Sequence, residues 1–391
     1  MCKMRPTLLL ALASAALLLP AKQGIAGEGL SRCTEINLNA EPERAIVICS
    51  DVILQERLTR EELSDAYRVR ANAHMRTGRF GVAVRDFSTA VELDPGNPRN
   101  YWERGNAYIW ARNPELAFVD FNMCMEIDPH YFGGHAGIAF LQNNAGYRSD
   151  AAAGLRKALA LKPDEHWTRR IRAEILYKLE RYDEAAAEYQ IIVDAGSQAV
   201  DKLLDRRGQI QKVDIYTDAL VGLARSFIQL RQFETVPDLL EQALSRDPSL
   251  ESAWLALAQY WSAQNDGQKA LDAAEKMLAL DPHSLNAFSL KAQSLNELGR
   301  NKEALLAIDD GLRIDKSWGY SFQIRGVILR ELGRYIEAAA DFEQASLLSN
   351  GIRDALQQRA KVAGYYDQPV GTPFDDRLRN AIMACVQDRS C

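Results

Sequence analysis

The chain has 391 residues, of which 47% are apolar and 26% charged, with 24 Gly and 13 Pro. That composition supplies a folded core and excludes a fibrous or low-complexity chain. Forty-seven basic residues against 53 acidic give a net charge of −6. This argues against a general nucleic-acid binder, which needs clustered positive charge to displace counterions.

At the N-terminus Lys3 and Arg5 precede an apolar run from Leu8 to Leu19, closed by Pro20, with small residues following at Gly24 and Ala26. This is the layout of a secretory signal peptide over 1–26, cleaved after Ala26. The run is about twelve residues, shorter than the roughly twenty of a membrane span, so no transmembrane segment is expected in the mature chain. A retained anchor is the alternative. The expected address is therefore exported, periplasmic or secreted. In 27–63, Pro42 to Ile53 reads as one amphipathic helix.

From 64 to 196 a period of 34 residues appears. Ala83, Ala117, Ala151 and Ala185 mark it; Phe87, Phe121, Leu155 and Tyr189 follow them, and Ala71, Gly105, Ala139 and Ala173 precede them. Small residues sit where two antiparallel helices approach closely, and bulky ones fill the space beside them. X-Pro steps such as Asp94-Pro95 and Asp128-Pro129 end the second helix, because the residue before Pro is pushed out of the α region. Gly78, Gly299 and Gly333 fall in the turn between helices, where a positive φ is easy for glycine. Segment 197–216 is a polar insertion that shifts the period, expected as a linker. The pattern resumes over 217–352 with Val236, Ala270, Ala304 and Ala338. Each helix pair exposes two apolar faces and must stack on another to bury them.

These residues resemble the tetratricopeptide repeat family, most clearly over 251–282 and 319–345. The resemblance implies an all-α solenoid of about eight helix-turn-helix repeats in two blocks of four, 64–196 and 217–352. Residues 27–63 become a degenerate capping pair. The last segment, 353–391, is a small helical extension. Its run LQQRAKVAGYYDQP…F…LRNAI resembles a peptidoglycan-binding domain, although Asp375 follows Phe374 where that family commonly has Gly. A plain C-terminal cap is the alternative.

Cysteine placement fits export. Cys2 leaves with the leader, and Cys33 with Cys49 and Cys385 with Cys391 form local pairs near the two ends. Disulfides there would staple the ends of a stack that lack a neighbour. Cys124 lies on an apolar helix face with Phe121 and Met125 and reads as a buried small hydrophobe.

Chemistry is sparse. The five histidines are scattered, and His130 and His135 are not at i, i+4 spacing for a metal. No zinc, phosphate-loop or hydrolase motif is present. The reading is therefore non-enzymatic, with no cofactor and no metal.

What remains is binding. The family resemblance implies that the first helix of each pair lines a groove in which a ligand lies. Helical spacing then gives Arg68, Asn72 and Arg76 in the first repeat, Arg99, Trp102, Asn106 and Trp110 in the second, and Trp167, Arg170 and Tyr177 in the fourth. Arg can take a carboxylate bidentately, Asn can bond a peptide backbone, and Trp offers a flat apolar wall. Packing between repeats is the alternative for Trp102 and Trp110. Arg68 and Asn72, with Asn106, echo part of a carboxylate clamp found in some family members, but Gly133 and Gly137 stand where further basic residues would be needed. The second block offers Gln259, Gln293, Asn296 and Arg330, and weaker binding is expected there. The expected function is an exported scaffold in the bacterial envelope that recruits a protein or peptide partner. The alternative is an adaptor bound to peptidoglycan through 353–391.

Overall fold

The structure is a computed structural model and describes residues 28–36, 38, 41–55, 58–198 and 214–388. The expected leader, most of the insertion and Cys391 lie outside the described residues. Twenty α-helices and no strand occur among the described residues.

They fall into two compact units, one ending at Gly137 and the other starting at Ile138. The first unit holds α1 (Glu28–Thr34), α2 (Pro42–Gln55), α3 (Arg60–Arg76), α4 (Phe80–Leu93), α5 (Pro98–Trp110), α6 (Pro114–Ile127) and the start of α7 (Phe132–Asn144). The second holds the rest of α7, then α8 (Arg148–Leu161), α9 (His166–Lys178), α10 (Tyr182–Ala195), α11 (Ile215–Gln229), α12 (Val236–Arg246) and α13 (Glu251–Ala263). It continues with α14 (Gly267–Leu280), α15 (Leu285–Glu297), α16 (Asn301–Ile314), α17 (Gly319–Glu331), α18 (Tyr335–Leu348), α19 (Asn350–Val362) and α20 (Asp376–Gln387).

Local chemistry starts and stops these helices. Asn97 and Asn113 cap α5 and α6 with Pro98 and Pro114 at the first helical position, where a missing N–H costs nothing. Asp94 (φ −137°, ψ 76°) and Asp247 (φ −138°, ψ 93°), each followed by Pro, have left the α region and end their helices. The periodic positions are buried: Ala83, Ala117, Ala151, Ala185, Val236, Ala270, Ala304 and Ala338 are all 0% exposed. They are wedged between helices, as close antiparallel approach demands. A Cβ at Gly105 would lie 2.6 Å from the Phe121 ring, so the small residue there is obligatory.

The turn within each hairpin has one left-handed residue. In four hairpins it is glycine, at Gly78, Gly146, Gly299 and Gly333; in the others it is Arg112, Glu180, Arg231 or Asn265, at φ near 60°. A second repeating device was not legible as such in the sequence. Arg70 pairs with Asp86 and Arg104 with Asp120 at 2.8 Å, and Arg325 with Asp341 at 2.7 Å, each sixteen residues apart. Arg172 meets Glu188 in the same register. These pairs tie the two helices of a hairpin beside the buried alanines, Asp86, Asp120 and Asp341 each lying three residues after a ladder alanine, and each buried carboxylate is compensated.

The division into units differs from the one expected at the insertion. Across 197–216 the stack continues within the second unit: α10 and α11 pack directly, with the Tyr189 ring lying where a Cβ on Gly222 would be only 2.3 Å away. The boundary falls instead inside α7. Trp102, Met125 and Phe121 pack onto the bare backbone at Gly133, Gly134 and Gly137, which binds the first half of α7 to the first unit.

Both ends are covered. The Cys33–Cys49 disulfide is present, with its cysteines buried against Val52, Ala66 and Val69. At the other end Leu356, Tyr366, Leu378 and Ile382 close over Phe342 and Leu329 of the last hairpin. Gln357 is fully buried and clamps the connecting loop, accepting from the Gly371 N–H at 2.8 Å and donating to the Thr372 carbonyl at 2.9 Å. Cys385 is buried and disulfide-bonded.

Candidate functional site

In the first unit the expected groove residues come from α3 and α5, the first helices of consecutive hairpins. Most of them are already engaged. The Asn72 amide donates to Glu103 Oε2 at 2.6 Å and to the Arg68 carbonyl at 3.0 Å. Arg99 Nε donates to Glu103 Oε1 at 2.7 Å, and Arg68 Nη1 lies 3.5 Å from the same oxygen. Arg68 also holds Asp65 at 2.7 Å. Glu103 is only 8% exposed, and its charge raises the Arg99 guanidinium above its ordinary range. The carboxylate in this receiver is thus the chain's own. This corrects the expected grouping of Arg68 and Asn72 with Asn106: Glu103 meets them, while Asn106 makes no hydrogen bond among the described residues.

Trp102 is packing rather than a free wall. Its ring centroid lies 5.4 Å from Phe132 and 6.0 Å from Tyr131, over Gly133. Trp110 stacks on Phe80 at 5.8 Å yet stays 42% exposed. Arg76 differs from the other two arginines. Its Nε and Nη2 are buried without a partner.

Trp167, Arg170 and Tyr177 belong to the second unit and also face inward partners. Arg170 lies over Trp167 at 4.6 Å and pairs with Asp218 at 3.3 Å. Arg225 lies over Tyr177 at 4.4 Å. Burial pushes the Asp218 carboxyl up despite Arg170. Two of these contacts, Arg170–Asp218 and Arg225–Tyr177, join α9 to α11, so they depend on the helix that follows the insertion.

An open concavity lies in the second unit, among α11, α13, α15 and α17, and encloses about 870 Å³. Gln259, Gln293 and Asn296 line it beside Leu255, Leu290 and Tyr320. Only Arg231 and Glu297 among its lining residues are charged, and Glu297 accepts from Ser262 Oγ at 2.9 Å. Gln293 donates to the Tyr320 hydroxyl at 2.9 Å. Ser289 Oγ and Asn296 Oδ1 are buried without a partner. Arg330 points elsewhere, to Glu331 at 3.3 Å. Neutral amides and hydroxyls interleaved with aliphatic side chains suit a backbone that must satisfy its own N–H and C=O groups.

Sequence reasoning missed Glu103 and Tyr320. For Glu103 a signal existed: it stands where the neighbouring repeats carry Val69 and Gly137, and it is i+4 from Arg99. Cys124 is buried and free, and burial pushes its thiol up to about 12, which suits a packing residue. His135 meets the Pro129 carbonyl at 3.1 Å. No helix among the described residues is long and apolar enough to cross a membrane.

Helix pairs stacked on a small-residue ladder, with a concavity lined by the first helices of the second unit's hairpins, define a repeat scaffold for protein–protein contact. The family model of the tetratricopeptide repeat matches residues 68–122, 141–200 and 221–284, and the chain is a tetratricopeptide-repeat protein. A tetratricopeptide repeat protein of Parabacteroides merdae shares the fold, with a TM-score of 0.53, 15% identity, and coverage of 64% of this chain and 93% of that one. Hsc70-interacting protein 1 of Drosophila melanogaster is 29% identical over 112 residues, 28% of this chain and 30% of that protein. The Hsp70-Hsp90 organizing protein of Triticum aestivum is 30% identical over 101 residues, 26% of this chain and 17% of that protein. The chain thus spans less than a third of the length of these curated relatives.

Proposed function

We propose that this protein is a non-enzymatic, exported scaffold of the bacterial envelope that takes an extended peptide segment of a partner protein in the groove of its second unit. The observation that carries the reading is the neutral, amide-lined concavity around Gln259, Gln293 and Asn296. A peptide laid there keeps its backbone hydrogen bonds and gains apolar contact with Leu255 and Leu290. The leader-like layout of 1–26 and the Cys33–Cys49 disulfide support an oxidising compartment. The test compares recovery of partners from the envelope fraction by wild type and by Gln259→Ala/Gln293→Ala. Loss of a partner in the variant supports the groove, and equal recovery places the ligand elsewhere. Fractionation of cells carrying the tagged full-length chain tests export.

A wall-bound adaptor is the second reading, and it rests on the sequence resemblance of 353–391. Leu356, Tyr366, Leu378 and Ile382 of that segment are used in covering the last hairpin, which favours the cap. Equal sedimentation with purified sacculi of the full chain and of a truncation at Asn350 would remove the wall reading.

A further inference from the structure

The outer face of α6 departs from the pattern of the other second helices. Its inner face carries Ala117, Asp120, Phe121 and Cys124, all buried, and Asp120 is taken by Arg104 of α5. On the opposite side Leu116, Phe118, Val119 and Met123 are between 36% and 57% exposed. The residue before the ladder alanine is Leu116 here, but Asp150, Glu184, Lys269, Glu303 and Glu337 on other second helices. The position of Met123 carries Lys157, Lys276 and Asp310 elsewhere. A helix that needs only to face water puts charge at such places. A single exposed apolar side chain is ordinary, as at Leu306 between Glu303 and Asp310, whereas a contiguous stripe marks a contact surface.

Leu116, Val119 and Met123 follow one another at spacings of three and four, so they form a ridge along the axis. Exposed Glu115 and Glu126 stand on the same face at its two ends, about 16 Å apart along the helix at 1.5 Å per residue. Neither makes an ion pair among the described residues, and α6 carries no basic residue. Glu126 lies in the last turn, where the helix dipole disfavours an acid. Asn122, the polar residue between them, donates to the Phe118 carbonyl of its own helix at 2.9 Å. The face therefore offers apolar contact between two anionic ends.

This charge layout selects the occupant. Any two-fold pairing of α6 with a second copy of itself sets acid against acid, and an anionic lipid surface is repelled for the same reason. We infer that the outer face of α6 docks a basic amphipathic helix of a partner protein, its apolar stripe on Leu116, Val119 and Met123 and its cations against Glu115 and Glu126. The inference stands apart from the peptide groove of the second unit, which contains none of these residues.

The test is fluorescence anisotropy of labelled Ac-AAKAQLLAQLAQAKAA-NH2, whose lysines flank a leucine stripe at the spacing of the two glutamates, titrated with the full chain. One control peptide replaces both lysines by glutamate, and another replaces the leucines by alanine. The lysine peptide should bind about tenfold more tightly than the glutamate peptide, as two exposed attractions become two repulsions. The alanine peptide should not bind. Val119→Lys, a change at an exposed site, should weaken binding by about tenfold through the lost apolar contact. Leu306→Lys in the second unit should leave binding unchanged. Glu115→Lys with Glu126→Lys should reverse the preference between the lysine and glutamate peptides, and this double variant keeps the test decisive if Val119→Lys melts early. Equal binding of the lysine and glutamate peptides, no binding of either, or no reversal in the double variant would overturn the inference. So would a dimer of the full chain, or attachment to phosphatidylcholine vesicles, that Val119→Lys abolishes, because each gives the face to another occupant.

Discussion

The first helices of the hairpins solve the polar problem in opposite ways in the two units. In the first unit the Arg68 and Arg99 guanidinium groups and the Asn72 amide converge on Glu103, while Arg76 keeps its Nε and Nη2 without a partner. In the second unit the open concavity is nearly uncharged, and its Gln293 donates to the Tyr320 hydroxyl. A charge-rich helix face is therefore not the same thing as a binding face. Charge invites an internal partner, because a bare buried ion costs more than a bare buried amide.

The largest test of this contrast is Glu103→Gln. It leaves two groove arginines without their shared carboxylate, and breaking a buried pair costs about 3 kcal/mol. Urea unfolding of the variant measures it, and a change under about 0.5 kcal/mol would mean the first groove is not self-satisfied. Ala270→Phe is next, as a packing control in the second unit. It replaces a fully buried ladder residue and should cost about 1–3 kcal/mol by overpacking. Gln293→Ala removes one bond to Tyr320 and should cost about 1 kcal/mol or less, while still abolishing partner capture if the neutral groove binds. Glu180→Gly relieves a left-handed non-glycine residue in the second unit and should raise stability by about 0.5–1 kcal/mol. Arg112→Gly tests the same turn in the first unit. Glu275→Gln, at an exposed pair with Lys291, should stay within about 0.5 kcal/mol. Thermal unfolding ranks Ala270→Phe and the variants after it, and equal melting temperatures for Ala270→Phe and Glu275→Gln would show the hairpin register to be misplaced.

The hairpins were legible because the signals for them are local. Ala83 and Phe87 lie one turn apart, Gly78 supplies the turn, and Asp94-Pro95 ends the helix; each repeats at 34 residues. The groove was legible only as a face. Trp102 and Asn72 were placed on the correct helices, but whether each faces a ligand or a neighbour was not written in its own repeat. Trp102 is occupied by Tyr131, Phe132 and the absence of a side chain at Gly133. Asn72 is occupied by a glutamate 31 residues away.

The amino-acid sequence by itself determined the helix pairs, their caps, their turns and the buried alanine ladder, since close helix approach depends on side-chain volume at fixed spacing. Only the tertiary structure decided which polar groups are spent: Glu103 against Arg68 and Arg99, Tyr189 over Gly222 across the insertion, and a unit boundary inside α7. Those outcomes depend on distances between consecutive hairpins. Such distances are set by how whole faces pack, and no single period encodes them.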